Sequence, residues 1–387
     1  MVHPTPRSRL DELLSANPDQ LATAVQERTR RTLDKHQHSL VLFGSGHLGG
    51  IALKNLQAIG RPPVAFADNN PALAGKELGG VPIMSPKDAF AKFPTSLFVI
   101  TVYTNVPVAE QLRAMGVAAI TFAELAWCYP GAFLPYLGLE LPHKIFNDSA
   151  AVRATFDLWA DDFSREEFLG QLAWRSTLDP AALPPHSAVE ETYFPSDLFC
   201  FQENEVFVDC GAFDGDSIRA FLQRRGDSFQ RATGLEPDPM NRARFEKWHA
   251  SLPAVEAKKI DLLPYAVGER HETLLFDITG TVASSVGAGK YEVECVPLDE
   301  VAVNLHPTFI KMDIEGAEPA ALRGAARTMK EDQPILAICL YHEQEHLWRI
   351  PQLIHSLNGG YKLYLRRYSD ECWEIVCYAV PGNRCKI

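Results

Sequence analysis

No run of this sequence approaches the roughly 20 consecutive apolar residues that a membrane-spanning helix needs, so no span is expected. The stretch from Met1 to Asn17 mixes prolines, arginines and acids and lacks the apolar run of a signal peptide, which makes the cytoplasm the expected location. The eight cysteines are scattered with no Cys-x-x-Cys pair, so neither a zinc ribbon nor a disulfide framework is expected. Positive charge is in short supply. Lys and Arg number 37 against 49 Asp and Glu, a net charge of −12, which argues against a general nucleic-acid binder. The one basic cluster, Arg28, Arg30 and Arg31, is diluted by Glu27 and Asp34 and reads as a solvated helix face.

What the sequence does hold is apolar: 46% of 387 residues, enough to pack two domains of ordinary size. The order of strand-like and helix-like stretches divides the chain into a helical segment (1–38), a small α/β domain (39–127), a connecting helical segment (128–200) and a second α/β domain (201–387). Central strands of the second domain are expected at Val206–Asp209, Ala232–Leu235, Asp261–Val267, Phe309–Met312 and Ile335–Leu340, closed by a hairpin from Tyr361–Leu365 and Glu374–Ala379. Glu272–Pro297 reads as an inserted hairpin.

Chemistry is concentrated at three strand ends of that domain. After Val206–Asp209 comes Cys210-Gly211-Ala212-Phe213-Asp214-Gly215-Asp216-Ser217, a glycine turn that opens a helix. Gly211 and Gly215 would let a ligand approach the backbone. A pyrophosphate prefers bare N–H groups at a helix start, whereas Asp209, Asp214 and Asp216 would surround it with carboxylates. S-adenosylmethionine has no phosphate and carries an ammonium and a sulfonium, so acids suit it. Glu236, at the end of the second strand, stands where an acid can accept hydrogen bonds from both ribose hydroxyls, and Asp238 is expected to cap the next helix. In Lys311-Met312-Asp313-Ile314-Glu315-Gly316-Ala317-Glu318, Asp313 and Glu315 are placed to orient an acceptor hydroxyl or take its proton. Glu318 suits a helix amino terminus. His342-Glu343-Gln344-Glu345-His346 fits the spacing of zinc proteases, but His342 follows a strand directly and so precedes the helix that such chemistry requires. His342 is instead a candidate for the acceptor site, and no metal is expected.

Together these pieces resemble the FkbM family of methyltransferases. The resemblance runs from about Tyr193 to Val380 and includes Tyr193-Phe194-Pro195, Phe207–Ala212, Leu235-Glu236-Pro237, Ala266-Val267-Gly268, Ser284-Ser285, Val296–Asp299, Ile310–Glu318 and Tyr341-His342. It implies a class I methyltransferase fold, Rossmann-like, with a mostly parallel sheet and a closing antiparallel hairpin. It also implies S-adenosylmethionine as cofactor and O-methylation of a sugar, glycan or natural product. By motif position, Asp209 and Gly211 would hold the amino-acid end of the cofactor and Glu236 the ribose, while Ala266 and Val267 would lie near the adenine; Asp214, Gly215, Asp216 and Ser217 are further cofactor-binding candidates of the same loop. The base is left open among Asp313, Glu315 and His342.

The first α/β domain carries Gly44-Ser45-Gly46-His47-Leu48-Gly49 after a strand, with Asp68 at the end of the next. No acid interrupts this turn, so Gly44, Gly46, Gly49 and Asp68 form a candidate nucleotide or nucleotide-sugar site. It is similar to small Rossmann-like modules found beside sugar-modifying transferases. Two rival functions follow: a nucleotide-sugar or NAD-binding enzyme centred on this turn, and a non-catalytic interaction protein.

Overall fold

A computed structural model describes residues 5–37, 39–277, 285–286 and 291–386; Ser284 of the resemblance lies outside them. They form two compact units. The first comprises Met1–Ser149, Glu166–His186 and Ser369–Trp373, the second Ala150–Arg165, Ser187–Tyr368 and Glu374–Ile387, so the stretch 128–200 is divided between them. Among the described residues no helix is long and apolar enough to cross a membrane.

In the first unit, Asn17 caps the helix Pro18–Lys35 by accepting from the amides of Asp19 and Gln20, and Pro18 opens that helix where a missing N–H costs nothing. Its buried stripe, Ala22, Val25, Thr29 and Leu33, follows helical spacing. Six strands follow: β1 (Leu40–Phe43), β2 (Ala65–Ala67), β3 (Glu77–Leu78), β4 (Val81–Met84), β5 (Leu97–Ile100) and β6 (Ala119–Thr121), ordered β3-β4-β2-β1-β5-β6. All pairings are parallel except β3 with β4. That short hairpin turns on Gly79 and Gly80, both at positive φ, as a two-residue turn demands. β1 and β5 are buried at every position, which is why they read as unbroken apolar runs.

Glu371 of this unit is enclosed beside Asn105, Trp373, Glu124 and Asp370, and burial pushes its carboxyl up to about 8. A raised carboxyl favours folding below its unfolded value, and that contribution is lost as pH rises through the folded value. Glu371→Gln is therefore expected to be more stable than the parent by about 1–3 kcal/mol above pH 8 and level with it near pH 5. Urea denaturation at the two pH values checks this; an equal difference at both would contradict it.

In the second unit the strands are β7 (Val206–Cys210), β8 (Arg231–Leu235), β9 (Ile260–Leu263), β10 (Ala266–Gly268), β11 (Glu272–Asp277), β12 (Ser285–Val286), β13 (Tyr291–Pro297), β14 (Phe309–Met312), β15 (Ile335–Cys339), β16 (Tyr361–Arg367) and β17 (Ile375–Pro381). Seven build one sheet, ordered β16-β17-β15-β14-β7-β8-β9, parallel from β9 to β15 and antiparallel at β17 and β16. This is the mostly parallel, Rossmann-like sheet with a closing antiparallel hairpin that the resemblance implies. The expected strand Asp261–Val267 is two strands. Pro264 interrupts it, and Ala266–Gly268 leaves to pair with β13 in a second sheet ordered β10-β13-β11-β12. The order reverses between β7 and β14, so the loops after those two strands flank the crevice where such sheets bind ligands.

Candidate functional site

β7 is buried throughout and ends in a loop whose backbone is mostly left-handed: Gly211 has φ +82°, Phe213 +45° and Gly215 +89°. A Cβ on Gly211 would stand 2.0 Å from the carbonyl oxygen of Asp313, so the loops after β7 and β14 touch through bare backbone. A Cβ on Gly215 would meet Trp248 and Phe245 inside 3.0 Å. The helix Asp216–Arg225 then begins without a side-chain cap.

The acids of this loop have different fates. Asp209 is wholly buried, and Lys311, its register partner on β14, places Nζ 2.9 Å from it. The same Nζ donates to the carbonyl of Gly211 at 2.8 Å and lies 5.3 Å from the ring centre of Tyr193. Burial pushes Asp209 up to about 6 while Lys311 opposes it, and the paired carboxylate keeps the lysine charged. Asp209 thus braces the loop through Lys311. Asp214 is paired with Arg219. Asp216 is exposed and accepts from the Ser217 amide at 2.7 Å, and Ser217 is buried beneath it.

Glu236 ends β8 with its side chain turned onto backbone: Oε2 accepts from the Phe213 amide (2.9 Å) and Oε1 from the Asp238 amide (2.8 Å). Burial pushes it up to about 7 against those bonds. Asp238 caps the following helix through the amides of Met240 and Asn241, as its place predicts. Ala266 and Val267 are buried and lie on β10 in the second sheet.

On the β14 side, Asp313 accepts from Tyr193 Oη at 3.0 Å and from Tyr341 Oη at 3.1 and 3.2 Å. Although it is partly enclosed, the charges of His342 and Lys311 and the Tyr193 hydroxyl hold its carboxyl far below the usual range. His342 lies in the loop after β15, its Nε2 3.2 Å from Asp313 Oδ1 and 3.7 Å from Glu315 Oε2. Its Nδ1 is 2.8 Å from Oε1 of Glu318, an oxygen that also accepts the Ile314 amide at 2.9 Å. Burial opposes the charged imidazole, but Glu318 and Asp313 override it and hold His342 well above its ordinary value. Glu315 has φ +55° ahead of Gly316 at +101°, a turn that an ordinary residue adopts only under constraint.

The two histidines of the His-Glu-x-x-His stretch do not share a helix. His346 is the first residue of the helix His346–Leu357 and His342 precedes it, which excludes the zinc-protease arrangement. Glu318 nevertheless stands between them, with Oε2 3.5 Å from His346 Nδ1. Asp313, Glu318 and His342 each place a donor atom within 4.8 Å of the others.

Four participants were given no site role by the sequence reading: Lys311, Tyr193, Tyr341 and Glu374. Lys311 was findable, as the lone charge in a buried strand opposite the lone acid of another. Glu374 reaches the same electrostatic neighbourhood through the closing hairpin and is pushed up to about 7 by burial, with Asp313 adding to the rise.

In the first unit, Gly44 has φ +108° and Gly49 packs so closely that a Cβ would stand 2.0 Å from the Gly44 carbonyl oxygen. Gly46 opens the helix His47–Ala58 with no side-chain cap. The Asp68 carboxylate is committed to this turn itself, accepting from Ser45 N (2.9 Å), Ser45 Oγ (2.7 Å) and the Asn70 amide (2.9 Å).

The second unit's sheet, parallel at its centre and closed by an antiparallel hairpin, has the Rossmann-like methyltransferase fold. Residues 209–368 match the Methyltransferase FkbM domain, and this chain, which carries that domain, is a methyltransferase. It is similar over nearly its whole length to the solved FkbM methyltransferase of Methylobacillus flagellatus: 25% identity, 97% of this chain and 100% of that one, TM-score 0.77. Two further matches are UDP-D-quinovosamine 4-dehydrogenase from Vibrio fischeri (21% identity, 24% of this chain and 85% of that one, TM-score 0.20) and an rRNA methylase from Streptococcus thermophilus (10%, 50% and 92%, TM-score 0.30). Their TM-scores are too low to bear on function. No curated protein matches the chain.

Proposed function

We propose that the protein transfers a methyl group from S-adenosylmethionine to a hydroxyl of a sugar, glycan or natural product. The observation that carries this is the charge of the crevice between β7 and β14. Asp216 follows β7, Glu236 follows β8, and Asp313 and Glu315 follow β14, so four acids stand at adjacent strand ends, while Lys311 is spent on Asp209 and the Gly211 carbonyl. A cationic ligand fits such a place and a pyrophosphate does not.

S-adenosylmethionine, when bound, supplies a methyl group already activated by its sulfonium. The chain would hold it at the bare backbone of Gly211 and Gly215, with Asp216 toward the ammonium and Glu236 toward the ribose hydroxyls. The Glu236 oxygens accept the Phe213 and Asp238 amides and the Asn241 side chain, which fixes the carboxylate and leaves it acceptor capacity for a hydroxyl. Asp214 and Ser217 shape the loop, Asp209 braces it through Lys311, and Ala266 and Val267 are assigned to the adenine. Asp313, fixed by two tyrosine hydroxyls, orients the acceptor, and Glu315 and His342 complete the pole at which its hydroxyl loses a proton.

Methyl transfer from radiolabelled cofactor to a panel of glycans and small polyols tests the reading. We expect at least one labelled acceptor, and a fall of about 100-fold or more in kcat for Asp313→Asn. Failure of every acceptor together with failure to bind the cofactor would overturn it. A second reading places a nucleotide or nucleotide-sugar at Gly44–Gly49, favoured by the uncapped helix start at Gly46. Asp68, tied to Ser45, would have to release that turn to serve a ribose. Gly46→Val is expected to abolish any binding of UDP or NAD there, measured by calorimetry.

A further inference from the structure

We propose that Asp313, Glu315 and His342 bind one divalent cation of the Mn2+ class, with Glu318 as the outer carboxylate on the histidine. The inference deepens the assignment of this pole to the acceptor and rests on it for the cation's role.

The first ground is the direction of the donors. His342 is 5% exposed, and its Nε2 lies 3.2 Å from Asp313 Oδ1 and 3.7 Å from Glu315 Oε2. At such distances a buried imidazole nitrogen would ordinarily be satisfied by a hydrogen bond, yet Nε2 is not aligned to make one with either carboxylate. Donors around an ion with bonds of about 2.1 Å stand roughly 3.0–3.5 Å apart and point at the ion, not at one another. His342 and Asp313 stand in that relation at 3.2 Å, and Glu315 lies just beyond it at 3.7 Å.

The second ground is the surrounding shell. Metal-bound histidines present their other ring nitrogen to a carboxylate, and metal-bound carboxylates are themselves hydrogen-bonded. Glu318 Oε1 stands 2.8 Å from His342 Nδ1 and is anchored by the Ile314 amide. Tyr193 and Tyr341 both donate to Asp313. The ligands come from loops after adjacent parallel strands, β14 and β15, and so are held by the sheet.

The third ground is access and charge. Asp313 and Glu315 side chains are 23% and 24% exposed, so solvent or an acceptor oxygen can reach the open positions of an ion. Glu374 and Asp216 add negative charge around Asp313 and Lys311. Two carboxylates favour hard ions and the imidazole admits first-row metals, an overlap that Mn2+ fills.

The test uses the full chain, stripped with a chelator, dialysed and titrated with Mn2+ while the free-ion paramagnetic resonance signal is followed. S-adenosylhomocysteine binding is measured in parallel on the same samples. One Mn2+ per chain is expected, with affinity lowered about 10- to 100-fold in His342→Ala and Asp313→Asn and in the outer variant Glu318→Gln. Glu315→Gln, on the half-exposed turn, replaces His342→Ala should that variant lose its circular-dichroism spectrum. Absence of Mn2+ binding, or binding unchanged in Asp313→Asn and Glu315→Gln, overturns the inference and leaves His342 as an imidazolium held between carboxylates. Homocysteine-product binding without Mn2+ binding removes the cation alone; Mn2+ binding without it removes the cofactor assignment alone.

Discussion

Lys311→Met is expected to cost the second unit about 3–5 kcal/mol of unfolding free energy, because it leaves the buried Asp209 carboxylate without its counter-charge. Asp209 is fully enclosed and Lys311 nearly so, which makes solvent screening small. The double variant Asp209→Asn, Lys311→Met removes both charges and is expected to recover most of that loss, since a buried pair is worth little more than apolar packing of the same volume. Chemical denaturation of the two single variants, the double variant and the parent measures the coupling directly. The lysine also holds the Gly211 carbonyl, so cofactor affinity is expected to stay low in the double variant even where stability returns. Equal destabilisation in single and double variants would show that the pair does not brace the loop as assigned.

Gly211→Ala is expected to be the most damaging one-atom change in the crevice. The residue sits at φ +82°, where an L side chain is strained by about 1–2 kcal/mol, and the added methyl would stand 2.0 Å from the Asp313 carbonyl oxygen. Relief requires the loops after β7 and β14 to separate, which misplaces the proposed cofactor turn and the proposed acceptor pole together. Overpacking of this kind adds about 1–3 kcal/mol. Affinity for S-adenosylhomocysteine is expected to fall by roughly 100-fold, the equivalent of about 2.7 kcal/mol. Gly226→Ala, a control at positive φ with open space around it, is expected to cost stability only. Similar affinity losses in both would assign the effect to backbone strain and not to the contact of the two loops.

Much of the second unit was legible because its central strands are buried on both faces and read as short apolar runs, each ending in a chemically distinctive turn. The cap at Asp238 was legible because an acid before proline at a helix start has one dominant use. The interruption at Pro264 was missed because apolar spacing continued across it. The fates of the acids were also hidden. Asp209 and Asp216 stand in one loop, but the first points into the sheet toward Lys311 and the second to solvent, a difference fixed by strand register. Tyr193 bonds to Asp313 and Glu374 adds charge near it from far along the chain, and no local pattern announces either. In the first unit, Asp68 has the spacing of a ribose ligand, yet its carboxylate closes the turn on Ser45; spacing gave the position and not the partner.

The assignment of the crevice to S-adenosylmethionine is tested most directly by calorimetric titration of the full chain with S-adenosylhomocysteine, with NAD and a nucleotide-sugar run alongside. Saturable binding of one homocysteine-product molecule per chain is predicted, weakened roughly 10- to 100-fold in Glu236→Ala when measured above the raised value of about 7, where the lost acceptor is ionised and corresponds to about 1.5–3 kcal/mol. Binding of only the phosphate-bearing ligands, unaffected by Glu236→Ala and lost in Gly46→Val, would contradict the assignment and move the ligand to the Gly44 turn.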